Sequence, residues 1–179
     1  MSRAVWAFSD ESERGATVLV AVVTIDPRRV DEARRALRSL LLAGQRRLHT
    51  AKESPQRRRA LLDTLSGIES ISAAVWRYRR PQGTDRVAAR RLVLGEIARS
   101  LVAADVAAWT LDDVHPAQRL RDRDVMGHVV ARHRLVYDHR PNHEEPLLWA
   151  ADAIAWAFGA GGDWRQRVAN VVTVREIGP

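Results

Sequence analysis

The segment Leu147 to Phe158 reads Leu-Leu-Trp-Ala-Ala-Asp-Ala-Ile-Ala-Trp-Ala-Phe, a helix that is apolar on every side except for one carboxylate, Asp152. A helix with no polar face calls for burial all round. An ionised acid placed there costs several kcal/mol to desolvate unless a metal, a basic group or a shared proton compensates. A second acid waits near the other end of the chain, where the apolar strand Ala4 to Phe8 runs into Ser9-Asp10-Glu11-Ser12. Two acids, each placed where a packed element meets an open site, suggest a divalent-metal site between the first strand and the last main helix.

The rest of the chain alternates strand and helix. Arg3 to Ser9 is rich in β-formers, Glu13-Arg14-Gly15 makes a turn, and Ala16 to Ile25 is a valine-rich run, so the first two strands form a hairpin. Asp26-Pro27 starts a helix expected from about Arg28 to Gln45, with Val30, Ala33, Leu37, Leu40 and Leu41 on one face. Ser54-Pro55 is an N-cap followed by proline at the first helical position, opening a helix to about Leu65 that Gly67 ends. Ile71 to Tyr78 reads as a strand, Asp85 to Ala103 as a helix, Val106 to Leu111 as a strand, and Ala117 to His133 as a helix. Arg134 to Asp138 reads as the last main strand, and Val171 to Ile177 as an extra edge strand. With 179 residues, 46% of them hydrophobic, and no repeat or linker, one α/β domain over residues 1–179 is expected.

Composition narrows the function classes. There is no cysteine, which excludes disulfides and thiolate metal sites. No signal-peptide pattern opens the chain, and the 147–158 run is too short to cross a bilayer, so a cytoplasmic protein without a membrane partner is expected. The 29 basic residues outnumber 22 acidic ones, a net charge of +7 that favours nucleic acid as a partner. All but one of the basic residues are arginines, whose forked guanidinium suits phosphate. The single lysine, Lys52, lies in Leu48-His49-Thr50-Ala51-Lys52.

The candidate metal ligands are hard oxygen donors suited to Mg²⁺ or Mn²⁺. Asp10 shares a strand face with Trp6 and Phe8, whereas Glu11 points the other way unless the strand has ended, so Asp10 is the better ligand of the two. The alternative for this segment is a polar turn. Asp112 and Asp113 end a strand that follows a crossover helix, where open α/β sheets place ligands, and the sequence does not choose between them. Asp152 has Glu145 seven residues earlier on the same helical face. His49 or Lys52 could move a proton or hold a phosphate. The remaining histidines lack the spacing of a zinc helix, and there is no nucleophile elbow, Walker loop or dinucleotide glycine motif.

Phe8-Ser9-Asp10-Glu11-Ser12, the Leu-His-x-x-Lys segment, and Leu-x-x-Ala-Asp-x-Ile-Ala-Trp-Ala at 148–157 resemble a bacterial domain-of-unknown-function family assigned to the ribonuclease H-like superfamily. Glu13 stands where that family usually has Gly, and Trp149 where it usually has Gln. The resemblance implies a ribonuclease H-like mixed sheet with an N-terminal antiparallel hairpin and helices on both faces. It also implies an acidic metal centre at Asp10, an acid near Asp112, and Asp152, with phosphodiester cleavage as the activity. Two ions about 4 Å apart can activate a water and stabilise the leaving oxygen. The competing expectations are a non-catalytic nucleic-acid-binding or partner-binding protein of a mobile-element or defence system, and a hydrolase of small phosphorylated substrates. Oligomeric state, including a homo-oligomer, stays open.

Overall fold

The computed structural model describes residues 4–113 and 115–178. Its elements in chain order are β1 (Trp6–Arg14), β2 (Thr17–Ile25), α1 (Val30–Arg38), α2 (Pro55–Gly67), β3 (Ile71–Arg79) and α3 (Arg86–Ala103). They continue with β4 (Ala108–Asp112), α4 (Pro116–Val130), β5 (Val136–Arg140), α5 (Pro146–Ala160), α6 (Gly162–Gln166) and β6 (Val172–Ile177). The strands form one sheet in the order β5-β4-β1-β2-β3-β6. β2 runs antiparallel to both β1 and β3, while β4, β5 and β6 join parallel to their neighbours. The expected start of the first strand at Arg3 lies outside the described residues. Among the described residues no helix is long and apolar enough to cross a membrane.

Strand alternation divides the buried side chains between two cores. Phe8, Leu19, Ala21, Val23 and Ile25 face α1, α2 and α5, whereas Ala7, Val18, Val20 and Val22 face α3 and α4. β2 is apolar at nearly every position because helices cover both its faces. α5 lies along β1 with ten of its residues buried, as an all-apolar helix must.

Several boundaries differ from the sequence expectation, four of them for an evident local reason. β1 continues past Ser9 to Arg14 because β2 offers it partners from Ala21 through Thr17, and Gly15 at φ +59° supplies the reversal between the two strands. Asp10 and Glu11 are therefore inside a strand, not in a polar turn. α1 stops at Arg38 instead of about Gln45: the Ser39 hydroxyl donates to the Ala36 carbonyl at 2.7 Å. The chain then leaves the helix axis to bury Leu48 and Thr50. β4 and β5 start about two residues later than expected, because pairing along the sheet begins at Trp6 with Ala108 and at Ala108 with Val136.

β1 and β4 are also tied together on the α3 and α4 side. The buried indole of Trp109 donates from Nε1 to Ser9 Oγ at 2.9 Å. Ser9→Ala leaves that N–H without an acceptor in the core and should cost about 1–3 kcal/mol. Urea denaturation measures it; a variant within a few tenths of wild type would mean that the indole finds another acceptor.

Candidate metal centre

Three acids from three elements meet on the face of the sheet covered by α5. Asp10 sits in β1 on the Phe8 side. The β1 and β4 register aligns Ser9 with Leu111, so the next residue of each strand, Asp10 and Asp112, lie side by side. Leu111 belongs to the opposite core, which assigns Asp112 to the Asp10 face and Asp113 away from it. α5 brings Asp152 over them from above, two turns into the helix, where it is the half-buried residue of an otherwise buried stretch.

The three carboxylates act on one another electrostatically. Burial pushes the Asp10 carboxyl well above the usual carboxylate range, and repulsion from Asp152 and then Asp112 pushes it further. Burial also raises Asp112, with Asp152 adding to the rise and the Arg47 guanidinium opposing it. Asp112 Oδ1 is buried with no hydrogen-bond partner, an arrangement that proteins rarely leave uncompensated. The small void of about 20 Å³ beside these strands, lined by Ser9, Glu11, Val20, Leu94, Leu111 and the Arg90 guanidinium, opens on the opposite, α3 side of the sheet and is not part of this centre. The raised carboxyls and the unpartnered oxygen fit a cation-binding role for Asp10 and Asp112. Among the described residues no three His, Asp or Glu side chains are already drawn in to metal-holding spacing, so the acids repel one another across a gap and do not form a closed cage.

Asp152 is held from below by a segment that sequence reasoning touched only through its neighbours. The fully buried Thr50 donates to Asp152 Oδ2 twice, from its backbone N at 2.9 Å and from Oγ1 at 2.8 Å. His49 Nδ1 stands 3.7 Å from the same oxygen. Arg58 clamps the segment by donating to the carbonyls of Thr50 and Ala51, at 2.8 and 2.7 Å, with its guanidinium over the Trp156 ring. Lys52 ends the short helical turn Thr50–Lys52 and is exposed, as are Arg46 and Arg47 just before it. Arg140 pairs in register with Asp112 from β5. The Arg140 side chain pairs with Asp138 at 3.4 Å, and Arg47 is the cation whose charge acts on Asp112.

The other acids picked from the sequence are engaged elsewhere. Glu11 points to the opposite side of the sheet and accepts from Arg90 Nε at 2.7 Å. Asp113 is forked by Arg119. Glu145 caps α5 through the Leu147 N–H, and both its oxygens accept from Arg34 of α1. Seven residues place it on the Asp152 face of an ideal helix, but as the N-cap it lies outside the helix proper and turns to α1. Trp149 is a core side chain whose Nε1 donates to the Asn142 carbonyl at 2.6 Å. Behind β1, sequence reasoning missed a buried acid: Asp122 of α4 is held by Arg90, His139 and Gln118.

No protein-family model matches the chain, and no curated protein sequence matches it. Solved structures do. One is that of the PCNA:RNase HII complex from Archaeoglobus fulgidus, at a TM-score of 0.52 and 19% identity over 87% of this chain and 73% of that one. Another is the ribonuclease H2 from Pyrococcus horikoshii OT3, at a TM-score of 0.51 and 17% identity over 85% of this chain and 70% of that one. At such identities the likeness is one of fold, a ribonuclease H-like mixed α/β sheet. The bacterial family suggested by the terminal motifs finds no support from a family model, whereas the fold it implied is found.

Proposed function

We propose that this chain is a divalent-metal-dependent nuclease that hydrolyses phosphodiester bonds, with Asp10, Asp112 and Asp152 as its metal ligands. The observation that carries the reading is the convergence of these three acids from β1, β4 and α5 on one face, with one buried carboxylate oxygen left without a partner. Structural tolerance of such mutual repulsion makes sense where a bound cation offsets it. The fold of the two archaeal neighbours, one named RNase HII and the other ribonuclease H2, supports the same chemistry by analogy.

Bound between these acids, Mg²⁺ or Mn²⁺ would lower the pKa of a coordinated water and polarise the phosphoryl group. The chain supplies the rest. Thr50 pins Asp152 Oδ2 with two donors, which fixes the carboxylate plane and leaves Oδ1 for the ligand. His49, at the rim beside the same carboxylate, is placed to take a proton from the attacking water or return one to the leaving oxygen. Arg47, whose charge acts on Asp112, and the exposed Arg46 and Lys52 of the adjoining segment would offer positive charge to a phosphate backbone.

The test is cleavage of labelled single-stranded, duplex and hybrid oligonucleotides with Mn²⁺ or Mg²⁺, comparing the wild type with Asp152→Ala. Metal-dependent cleavage that the variant loses is expected. Oligonucleotide binding without cleavage under either metal would instead favour a non-catalytic nucleic-acid-binding protein, and activity on small phosphate esters unaffected by nucleic-acid competitors would favour the third class.

A further inference from the structure

β1 carries Asp10 in its middle and runs four residues further, ending in Arg14 on the same face of the sheet. At strand rise this is a span of about 13 Å. The register there sets Arg14 beside Thr17 of β2 and Thr17 beside Arg79 of β3, with Arg77 opposite Leu19. Arg14, Arg77, Arg79, Phe158, Gly159 and one acid, Glu176, line a cleft of about 600 Å³ at this end of the sheet. Arg77 is ion-paired to Glu176 of β6 at 2.7 Å. Arg14 and Arg79 have no carboxylate partner among the described residues; both are exposed and flank Thr17 two strands apart on the same face of the sheet. Uncompensated guanidinium groups that share a concave site form an anion receptor.

The cleft is built, not incidental. A Cβ on Gly159 would come within 2.9 Å of Arg14 Nε and 3.2 Å of its Cγ, so the arginine stem lies across bare backbone at the end of α5. On the other side of Gly159, Phe158 is half-buried with the Arg165 guanidinium 5.0 Å from its ring. α5 itself connects the two places: Asp152 over the acid centre, Phe158 and Gly159 at the cleft.

We propose that this cleft is a second phosphate subsite for the strand cut at Asp10, Asp112 and Asp152, an inference that rests on the nuclease reading above. Arg14 and Arg79 take a backbone phosphate, and Phe158 offers an apolar surface to the adjoining sugar or base. With about 3.4 Å of axial rise per nucleotide, the span from Asp10 corresponds to about four stacked nucleotides. A polynucleotide with a free end at the centre would engage both sites, whereas a mononucleotide would reach one.

The experiment is fluorescence anisotropy with labelled single-stranded oligonucleotides of increasing length, in buffer without divalent cations so that nothing is cut. Arg79→Ala should weaken binding of strands longer than about four nucleotides by roughly tenfold and lower the salt slope of log K by about one. Arg14→Ala should do the same. Arg132→Ala, which removes the same charge beyond α4 on the opposite face, should change affinity less than about twofold, as expected for a non-contacting charge. Unchanged binding of long strands in both cleft variants would sink the subsite even if the wild type cleaves. An equal loss for inorganic phosphate or a mononucleotide would overturn the shared-strand assignment and leave a separate small-anion site. A wild type that neither binds nor cuts any oligonucleotide would remove the nuclease reading along with it.

Discussion

Asp10→Asn should abolish Mn²⁺-dependent cleavage and, at the same time, raise the Tm of the metal-free protein at neutral pH. The catalytic loss is expected to be about 10³-fold or more, since a metal contributes several kcal/mol to the transition state and each 1.36 kcal/mol is a factor of ten. The stabilisation has the opposite origin. Burial and the carboxylates of Asp152 and Asp112 hold the Asp10 pKa well above its unfolded value. Such a group favours the native state below the unfolded pKa, and that contribution is lost as pH rises through the raised folded value. Asparagine keeps the shape and removes the charge, so the Tm gap between variant and wild type should widen from mildly acidic to neutral pH. Mn²⁺ should then raise the Tm of the wild type and leave the variant unmoved, because only a ligand that binds the native state stabilises it. A thermal-denaturation series over pH, with and without Mn²⁺, reads all three effects. A variant less stable than wild type without metal, with both shifted equally by Mn²⁺, would remove Asp10 from the metal site.

The largest loss of stability is expected on the other side of β1. Asp122 has a side-chain exposure of 1% and accepts from both terminal nitrogens of Arg90, from Gln118 and from His139, whose Nε2 is 2.8 Å away. Arg90 also reaches Glu11, beside Asp10. Asp122→Ala leaves the mostly buried guanidinium with Glu11, at its Nε, as the remaining carboxylate and leaves both terminal nitrogens short of an acceptor, which should cost about 3 kcal/mol in urea denaturation. Burial works to raise the Asp122 pKa, but the bonds from His139 and Arg90 outweigh it and hold the carboxyl below its ordinary value. Its contribution is therefore present above the unfolded pKa and lost as pH falls through the folded one, the reverse of Asp10. The acid limb of the wild-type stability profile should flatten in the variant. A cost under about 1 kcal/mol would mean that water relaxes around Arg90 and that the site is no more than a surface ion pair.

The acids that sequence could pick out are the ones whose local pattern isolates them. Asp152 interrupts an apolar helix, and Asp10 follows a strand whose alternation fixes its face. Asp112 and Asp113 were inseparable until the pairing of Ser9 with Leu111 set the register, information that lies in β1, about a hundred residues away. Glu145 carried the right helical spacing, and only the approach of Arg34 from α1 decides its use. Asp122 had a readable signal that its neighbours masked: Val125, Met126, Val129 and Val130 continue from it at helical spacing, but Arg121, Arg123 and Asp124 make the segment look like a solvated face. The fold class was legible in the alternation of elements. The early end of α1 was not, because Ser39 to Ala43 reads as helix-forming and what draws the chain away is the burial of Leu48 and Thr50.

The order in which the centre's parts leave the ribosome gives the layout a temporal meaning. β1 emerges before β4, and β4 before α5, in a chain made at about 5–20 residues per second. Until α5 docks along β1, Asp152 is absent from the centre and Thr50 has no carboxylate to hold. A nascent chain from which α5 has not yet emerged therefore lacks one of the three acids, and under the nuclease function proposed above its centre stays incomplete until that helix docks.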